Sequence, residues 1–206
     1  MTREELLQDL AYARNLAEEG RNAPLIGGAY FIMFGVLLAI CYGLQWAVLV
    51  QALPFDGRGI GLVWMGFGAA AMIGSALISK RVRAMPGGAA IPNRVDRSIW
   101  HAVTIAILTV VAGTVLRAML LSDFTAPDSI VAAGFGLYGV ALYATATIGG
   151  HTWLRTFAIL AWSVSGTLWF FLHEPWTYLF AAVASLVVLS VPGLIMVRRE
   201  PTAAAT

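Results

Sequence analysis

Residues 31–50 read FIMFGVLLAICYGLQWAVLV, twenty consecutive positions without a charged side chain. A helix needs about 20 residues to cross the roughly 30 Å hydrocarbon core of a bilayer. Five further apolar stretches follow, so we predict six transmembrane helices, over residues 24–50, 59–79, 98–121, 128–149, 152–173 and 176–197. The predicted fold class is all-α and polytopic, because none of these stretches alternates like a membrane β-strand.

The composition of the whole chain agrees with burial in lipid. Hydrophobic residues make up 59% of the 206 positions and charged residues only 12%, about half the charged fraction of an average soluble domain. The single cysteine, Cys41, lies within the first predicted span, so an intrachain disulfide is excluded. We therefore predict an integral membrane protein whose main partner is the lipid bilayer.

The basic residues are distributed unevenly between the two sides of the predicted spans. Eleven of the 13 fall on the side of the N-terminus: Arg3, Arg14, Arg21, Lys80, Arg81, Arg83, Arg94, Arg97, Arg155, Arg198 and Arg199. Because cytoplasmic loops are enriched in Lys and Arg, we predict that both termini are cytoplasmic.

The six-helix plan resembles in outline small bacterial envelope proteins, including acid-resistance membrane proteins, and this resemblance implies a bacterial inner membrane.

Residues 1–23 precede the first span and have the pattern of an amphipathic helix. Leu6, Leu10, Ala13 and Ala17 recur at helical spacing. The segment holds three arginines and five acidic residues, whereas a helix that lies on anionic lipid is normally basic. We therefore expect residues 3–19 to contact the chain's own inner loops or a cytoplasmic protein partner, and a surface helix without a partner is the alternative. The predicted parts are this helix over 1–23, a transmembrane domain over 24–197 and a cytoplasmic tail over 198–206.

Small residues at every fourth position predict close helix packing. They form stripes on the first and second spans, and they are Gly35, Ala39, Gly43, Gly66, Ala70 and Gly74. Side chains this small let two backbones approach each other. We expect the first two spans to pack along these stripes, and oligomer assembly through one stripe is the alternative.

A spacing of thirteen residues between an aromatic residue and a glycine recurs in the spans that run outward. The pairs are Tyr30 and Gly43, Trp100 and Gly113, and Trp153 and Gly166. The recurrence suggests three related helix hairpins in series. Chance is the alternative explanation, because glycine and aromatic residues are common in membrane helices.

All eleven carboxylates fall in tails, loops or span ends. Ion-coupled transporters usually hold an acid inside the membrane, so this distribution disfavours them. Near the outer span ends, Arg117, Asp123 and Glu174 form one candidate site. A snorkelling arginine in a local ion pair is the simpler interpretation, and an outward-facing pocket for an anionic or zwitterionic solute is the alternative.

Aromatic residues of the fourth and fifth spans form a second candidate site. Tyr138, Tyr143 and Trp162 could line a cavity for an amphipathic ligand, together with the hydroxyl groups of the fifth span. The competing interpretation is structural, since hydroxyl groups in membrane helices usually bond to backbone carbonyls or to a neighbouring helix.

No cofactor and no metal site are predicted. His101 and His151 fall near the cytoplasmic ends of the third and fifth spans, so paired axial ligation of haem is the one arrangement that the histidines permit. A histidine at the lipid headgroups is the commoner role. The sequence holds no catalytic pair within the spans and no nucleotide loop, and topology explains the basic loops without a nucleic-acid partner.

These patterns favour a non-enzymatic membrane protein of regulatory, scaffolding or accessory type that acts through a cytoplasmic partner. The alternative is a small solute permease, or the membrane-embedded substrate-binding subunit of a transporter. It requires a cavity lined by polar residues of the fourth and fifth spans.

Overall fold

The computed structural model describes residues 25–55, 58–85 and 90–200, with Gln8 and Tyr12 as isolated positions. Every regular element in these ranges is helical, which confirms the all-α class. In chain order they are α1 (Gly28–Leu49), α2 (Arg58–Ala84), α3 (Ile91–Leu121), a 3₁₀ turn (Ala126–Asp128), α4 (Ser129–Ile148), α5 (Leu154–Phe170), α6 (Trp176–Ser185), a π-helical segment (Leu186–Ser190) and α7 (Val191–Arg199). The predicted helix over 1–23 and tail residues 201–206 lie outside the described residues.

Five stretches of the described chain are long and apolar enough to cross a membrane. They are Gly28–Leu49, Gly59–Val82, Ile91–Leu121, Ala126–Ile148 and Trp176–Arg199, and they fit a multi-pass membrane protein. The fifth predicted span, over 152–173, contains the 17-residue helix α5, about 25 Å long at the usual rise per residue. It is shorter than predicted because turns precede Leu154 and follow Phe170, with His173 at a φ of 78°.

The helices α2 and α3 extend past the predicted spans into their connector. α2 continues to Ala84, and α3 already begins at Ile91. Pro92 lies in the first turn of α3, where the missing N–H of proline costs no hydrogen bond. The basic residues of this connector therefore lie largely on helices.

Successive spans run in opposite directions, with α6 and α7 continuing each other along Trp176–Arg199, and this gives the molecule two distinct ends. The basic end is where α1, α3 and α5 begin, and it carries Lys80, Arg81, Arg94, Arg97, Arg155, Arg198 and Arg199. The opposite end carries Arg117, Asp123, Asp128, His173 and Glu174. At the basic end, the Ile26 N–H donates to Asn93 Oδ1 over 2.9 Å, which ties the entry of α1 to the start of α3.

The packing between helices that are consecutive in the chain agrees with two of the three expected hairpins. α1 packs on α2, and α3 packs on α4. In the third pair, α5 packs mainly on α4, whereas α6 packs mainly on α1. Its two helices touch each other much less than either touches these other neighbours, so the third pair departs from the hairpin pattern.

The α4–α5 interface is filled by side chains rather than hollow. Phe135, Leu142, Leu154, Ala158 and Ala161 each have zero exposure. At Gly139 the Trp162 indole lies directly on the α4 backbone, where a Cβ would collide with it. Glycine at this position therefore lets the large ring of α5 approach α4 closely.

The small-residue stripes meet the predicted neighbour at only one of the four glycines. Gly35 of α1 faces the last span and not α2, because Ser190 and the Ser185 carbonyl occupy the space where its Cβ would lie. Gly74 of α2 does meet α1, through Met33. Gly43 and Gly66 have no atom within 4 Å of a Cβ position, so the predicted close contact does not occur there. Spacing identifies a helix face, but it does not identify the helix that this face meets.

The backbones of α1 and α7 approach each other closely at two glycines. A Cβ at Gly193 would lie 2.7 Å from the Gly28 carbonyl oxygen, and a Cβ at Gly28 would lie 2.6 Å from the Gly193 carbonyl oxygen. Just before this joint, Pro192 lacks the N–H that would bond to Val188. The π-helical segment Leu186–Ser190 lies at that interruption of the hydrogen-bond ladder.

Candidate functional site

The predicted site at the opposite end is a local ion pair. Arg117 Nε donates to Asp123 Oδ2 over 2.7 Å, and the Thr125 hydroxyl donates to the other carboxylate oxygen. These two interactions hold the pKa of Asp123 down at about 2. Glu174 is exposed, and its backbone carbonyl accepts the Thr177 hydroxyl. Only two of the three predicted residues are thus brought together, in a closed pair.

A second polar group at the same end joins Asp128 and His173, which the sequence offers as partners of Arg117, to Tyr178, which the sequence does not single out. The Asp128 carboxylate accepts the Tyr178 hydroxyl and lies 2.8 Å from His173 Nδ1. Asp128 and Tyr178 are 50 residues apart in sequence, so only the fold brings them together. This group joins the start of α4 to the start of α6.

The predicted aromatic site does not enclose a common cavity. The Tyr143 and Trp162 rings pack 5.8 Å apart, and both side chains are about two-fifths exposed on the outer surface. Trp162 Nε1 donates to the Gly136 carbonyl over 3.1 Å. Tyr138 packs instead against Trp100 and Phe135.

The hydroxyl groups of α5 serve helix structure and helix packing. Ser163 and Thr167 donate to carbonyls one turn back. Ser165 donates across the interface to the Ala132 carbonyl over 2.7 Å. The hydroxyl groups that the sequence places at the second candidate site are therefore engaged with backbone carbonyls.

An acidic group at the basic end ties three helices together. Asp96 of α3 accepts the Thr145 hydroxyl of α4, and Trp100 Nε1 lies 3.3 Å from the same hydroxyl oxygen. The Trp100 ring packs edge-on against Phe31 of α1, with 4.8 Å between centroids. The sequence places Asp96 in a loop, but because α3 begins seven residues earlier than predicted, the side chain lies on a helix and points into the bundle.

Two arginines of the basic end pack against aromatic rings. The Arg199 guanidinium lies over the Trp153 ring, and the Arg155 guanidinium lies over the Tyr143 ring, each 5.4 Å from the centroid. Trp153 Nε1 and Arg155 Nε are buried and have no hydrogen-bond acceptor within the described chain. This aromatic–arginine group was not predicted; a sequence signal existed in the close spacing of His151, Trp153 and Arg155.

The two histidines of the haem hypothesis lie in different surroundings. His101 is exposed on α3. The His151 ring packs 6.4 Å from Trp153. Partial burial, and then the charge of Arg199, lower the pKa of His151. Within the described residues, no group of three metal-ligating side chains occurs.

An apolar groove of about 270 Å³ opens at the basic end between α1, α2 and α7. Its walls are Ala29, Ile32, Met33, Val82, Met85 and Val197, with Arg81 and Glu200 as its charged members. Ala29 lies four residues after Leu25, the position at which the N-terminal segment joins the described chain. The groove is therefore within reach of that segment.

Comparison of the chain with protein-family models, curated proteins and solved structures finds no match.

Proposed function

We propose that this chain is a six-helix protein of a bacterial inner membrane, with both termini in the cytoplasm, that acts as a non-enzymatic regulatory, scaffolding or accessory subunit. In this proposal residues 3–19 bind a cytoplasmic protein partner. α5, with the turn residues on either side of it, serves as the fifth of the six spans. The positive-inside rule supports this orientation, because the described Lys and Arg residues other than Arg58 and Arg117 lie at the basic end.

The observation that best supports this proposal over a solute permease is the filled interface between α4 and α5. A permease needs a solvent-filled route there, and the residues at that position are zero-exposure side chains. Its polar groups bond to backbone carbonyls instead of facing a lumen. The packing therefore disfavours the solute permease and favours a membrane anchor with its binding surface at one end.

The groove between α1, α2 and α7 supports a binding surface at the basic end. It is lined mainly by apolar side chains, and it lies beside the point where the amphipathic segment joins α1. The segment has a net charge of −2 and an apolar stripe. A fitting partner therefore presents an apolar surface bordered by basic residues.

Affinity purification from native membranes in mild detergent tests the proposal. We expect a protein partner to co-purify with the full chain and to be lost when residues 2–20 are deleted, while membrane insertion persists. Leu6→Ser combined with Leu10→Ser should lose the same partner, whereas Gln8→Ser, at an exposed position, should retain it. Undiminished recovery of every co-purifying protein with the deletion variant would refute the role of residues 3–19.

A further inference from the structure

Two buried donors at the start of α5, Trp153 Nε1 and Arg155 Nε, have no acceptor among the described residues. Arg117 at the opposite end is neutralised by Asp123. Among the described residues, Arg199 and Arg155 form no salt bridge to a carboxylate, and each lies on an aromatic face. Stacking on a ring orients a guanidinium while leaving its N–H groups free for an anion.

The indole of Trp153 adds a second unused donor directly beside Arg199. Its Nε1 is buried and has no acceptor within the described chain. A buried N–H without a partner is unfavourable, so an acceptor brought by a ligand would be stabilised there. Arg199 is exposed and is the last residue of α7, so its guanidinium is accessible to a ligand.

The remaining neighbours make this position suitable for an anion. His151 packs on Trp153, and burial and then the charge of Arg199 lower its pKa, which favours its neutral form. The positive charge comes from Arg199, with Arg198 adjacent in sequence. Glu200 lines the apolar groove on the α1 side of α7.

We propose that Arg199 and the Trp153 indole form a binding site for the phosphate of an anionic phospholipid headgroup. The site rests on the proposed function for its location, since the basic end then faces the cytoplasmic leaflet, where anionic lipid headgroups lie. Basic residues and tryptophan at the level of the headgroups are the usual elements of such recognition. The acyl chains would extend along the apolar outer faces of α5 and α7.

Lipid binding to delipidated protein in a neutral detergent tests the site, with native mass spectrometry as the readout. Phosphatidylglycerol, phosphatidylethanolamine and inorganic phosphate are the three probes. We expect phosphatidylglycerol to bind best and Arg199→Gln to weaken it about fivefold, the factor that corresponds to about 1 kcal/mol for one basic residue at an anionic surface. Trp153→Phe keeps the ring beneath Arg199 but removes the N–H, and it should give a smaller loss.

Arg198→Gln is the matched control, because it removes an exposed arginine next to Arg199 that has no ring partner among the described residues. It should weaken phosphatidylglycerol binding less than Arg199→Gln. Equal losses from the two variants would show general attraction to the basic end and would overturn the site. Inorganic phosphate that competes fully at equal concentration would show a free-anion site and overturn the lipid assignment.

The partner proposal and the lipid proposal can be refuted independently of each other. The lipid experiment uses purified protein, so it does not depend on residues 3–19 or on any protein partner. Loss of phosphatidylglycerol binding in Arg199→Gln with intact partner recovery would support both proposals. Each variant is checked for folding by gel filtration and circular dichroism before its binding is compared.

Discussion

The two ends of the bundle use their charged residues in different ways. At the opposite end, Arg117 pairs with Asp123, and Asp128 is held by Tyr178 and His173. At the basic end, Arg155 and Arg199 lie on aromatic rings without a carboxylate in a salt bridge to them in the described chain. The opposite end is therefore closed by its own contacts, whereas the basic end keeps charges and an apolar groove available to other molecules.

This contrast explains why the candidate site predicted from Arg117 is an unattractive ligand site. A guanidinium already held 2.7 Å from a carboxylate must lose that pair before it binds an external anion. Arg199 has no such pair to lose. Arg117 and Arg199 are the same residue type, but they differ in their capacity to bind an external anion because their neighbouring side chains differ.

The largest expected loss of stability comes from disrupting the close contact between α1 and α7 at the basic end. Gly193→Leu would place a side chain 2.7 Å from the Gly28 carbonyl oxygen. Two backbones would have to separate, so we expect a loss of at least about 3 kcal/mol of stability, the upper part of the range for overpacking. Thermal unfolding in detergent, followed by gel filtration, measures it.

Gly66→Leu is the control for that substitution, because no atom lies within 4 Å of its Cβ position. We expect its unfolding midpoint to stay close to that of the unsubstituted chain. Equal destabilisation by the two variants would contradict the assignment of the tight joint to α1 and α7.

A smaller effect is expected from the acidic group inside the basic end. Thr145→Val removes the hydroxyl that donates to Asp96 and leaves that carboxylate with fewer donors, which should cost about 1–3 kcal/mol. Thr147→Val is the control, since its exposed hydroxyl donates only to the Tyr143 carbonyl one turn back. Comparable midpoints for the two variants would show that Asp96 does not depend on Thr145.

Removal of the Tyr178 hydroxyl tests the hydrogen bond that joins the start of α6 to the start of α4 at the opposite end. Tyr178→Phe deletes the donor to Asp128, and we expect a loss of about 1.5–3 kcal/mol, the range for a hydrogen bond to a charged group. Tyr143→Phe, at a tyrosine on the outer surface, should leave the midpoint unchanged. The reverse order of effects would contradict the closed arrangement of this end.

The smallest effect is expected from the exposed pair of Arg117 and Asp123. Because the folded-state pKa of Asp123 is lowered to about 2, the pair contributes its stability above the unfolded value of about 3.9. That contribution is lost as the pH falls from about 4 to about 2. Arg117→Gln should therefore lower the unfolding midpoint slightly at pH 7 and by a smaller amount at pH 2, where about half of the folded-state Asp123 is protonated; a deficit as large at pH 2 as at pH 7 would contradict the pairing.

The sequence is sufficient for the helical class and for the approximate bounds of five long apolar helices. Runs such as residues 31–50 require a helix in lipid because no water is available there for the backbone. The predicted start of α3 is seven residues late, because the apolar run begins only after Arg94 and Arg97 whereas the helix already includes both residues.

The contacts between helices were beyond prediction from the sequence. Periodicity places Gly35 on a small-residue face, but Ser190, which occupies that face, is 155 residues away along the chain. The group of Asp128 and Tyr178 and the contact of Arg199 with Trp153 likewise depend on how distant helices are arranged. The local pair of Arg117 and Asp123 was accessible to prediction because only six residues separate the two.

Labelling of introduced cysteines in intact cells tests the central claim, that the basic end faces the cytoplasm and the opposite end faces outward. Cys41, the chain's single cysteine, is buried and is replaced by alanine. Phe124→Cys, at an exposed position of the opposite end, should react with a membrane-impermeant maleimide in intact cells, and Glu200→Cys, at the basic end, should react only after the inner membrane is permeabilised. Reaction of Glu200→Cys in intact cells, with protection of Phe124→Cys, would contradict the account.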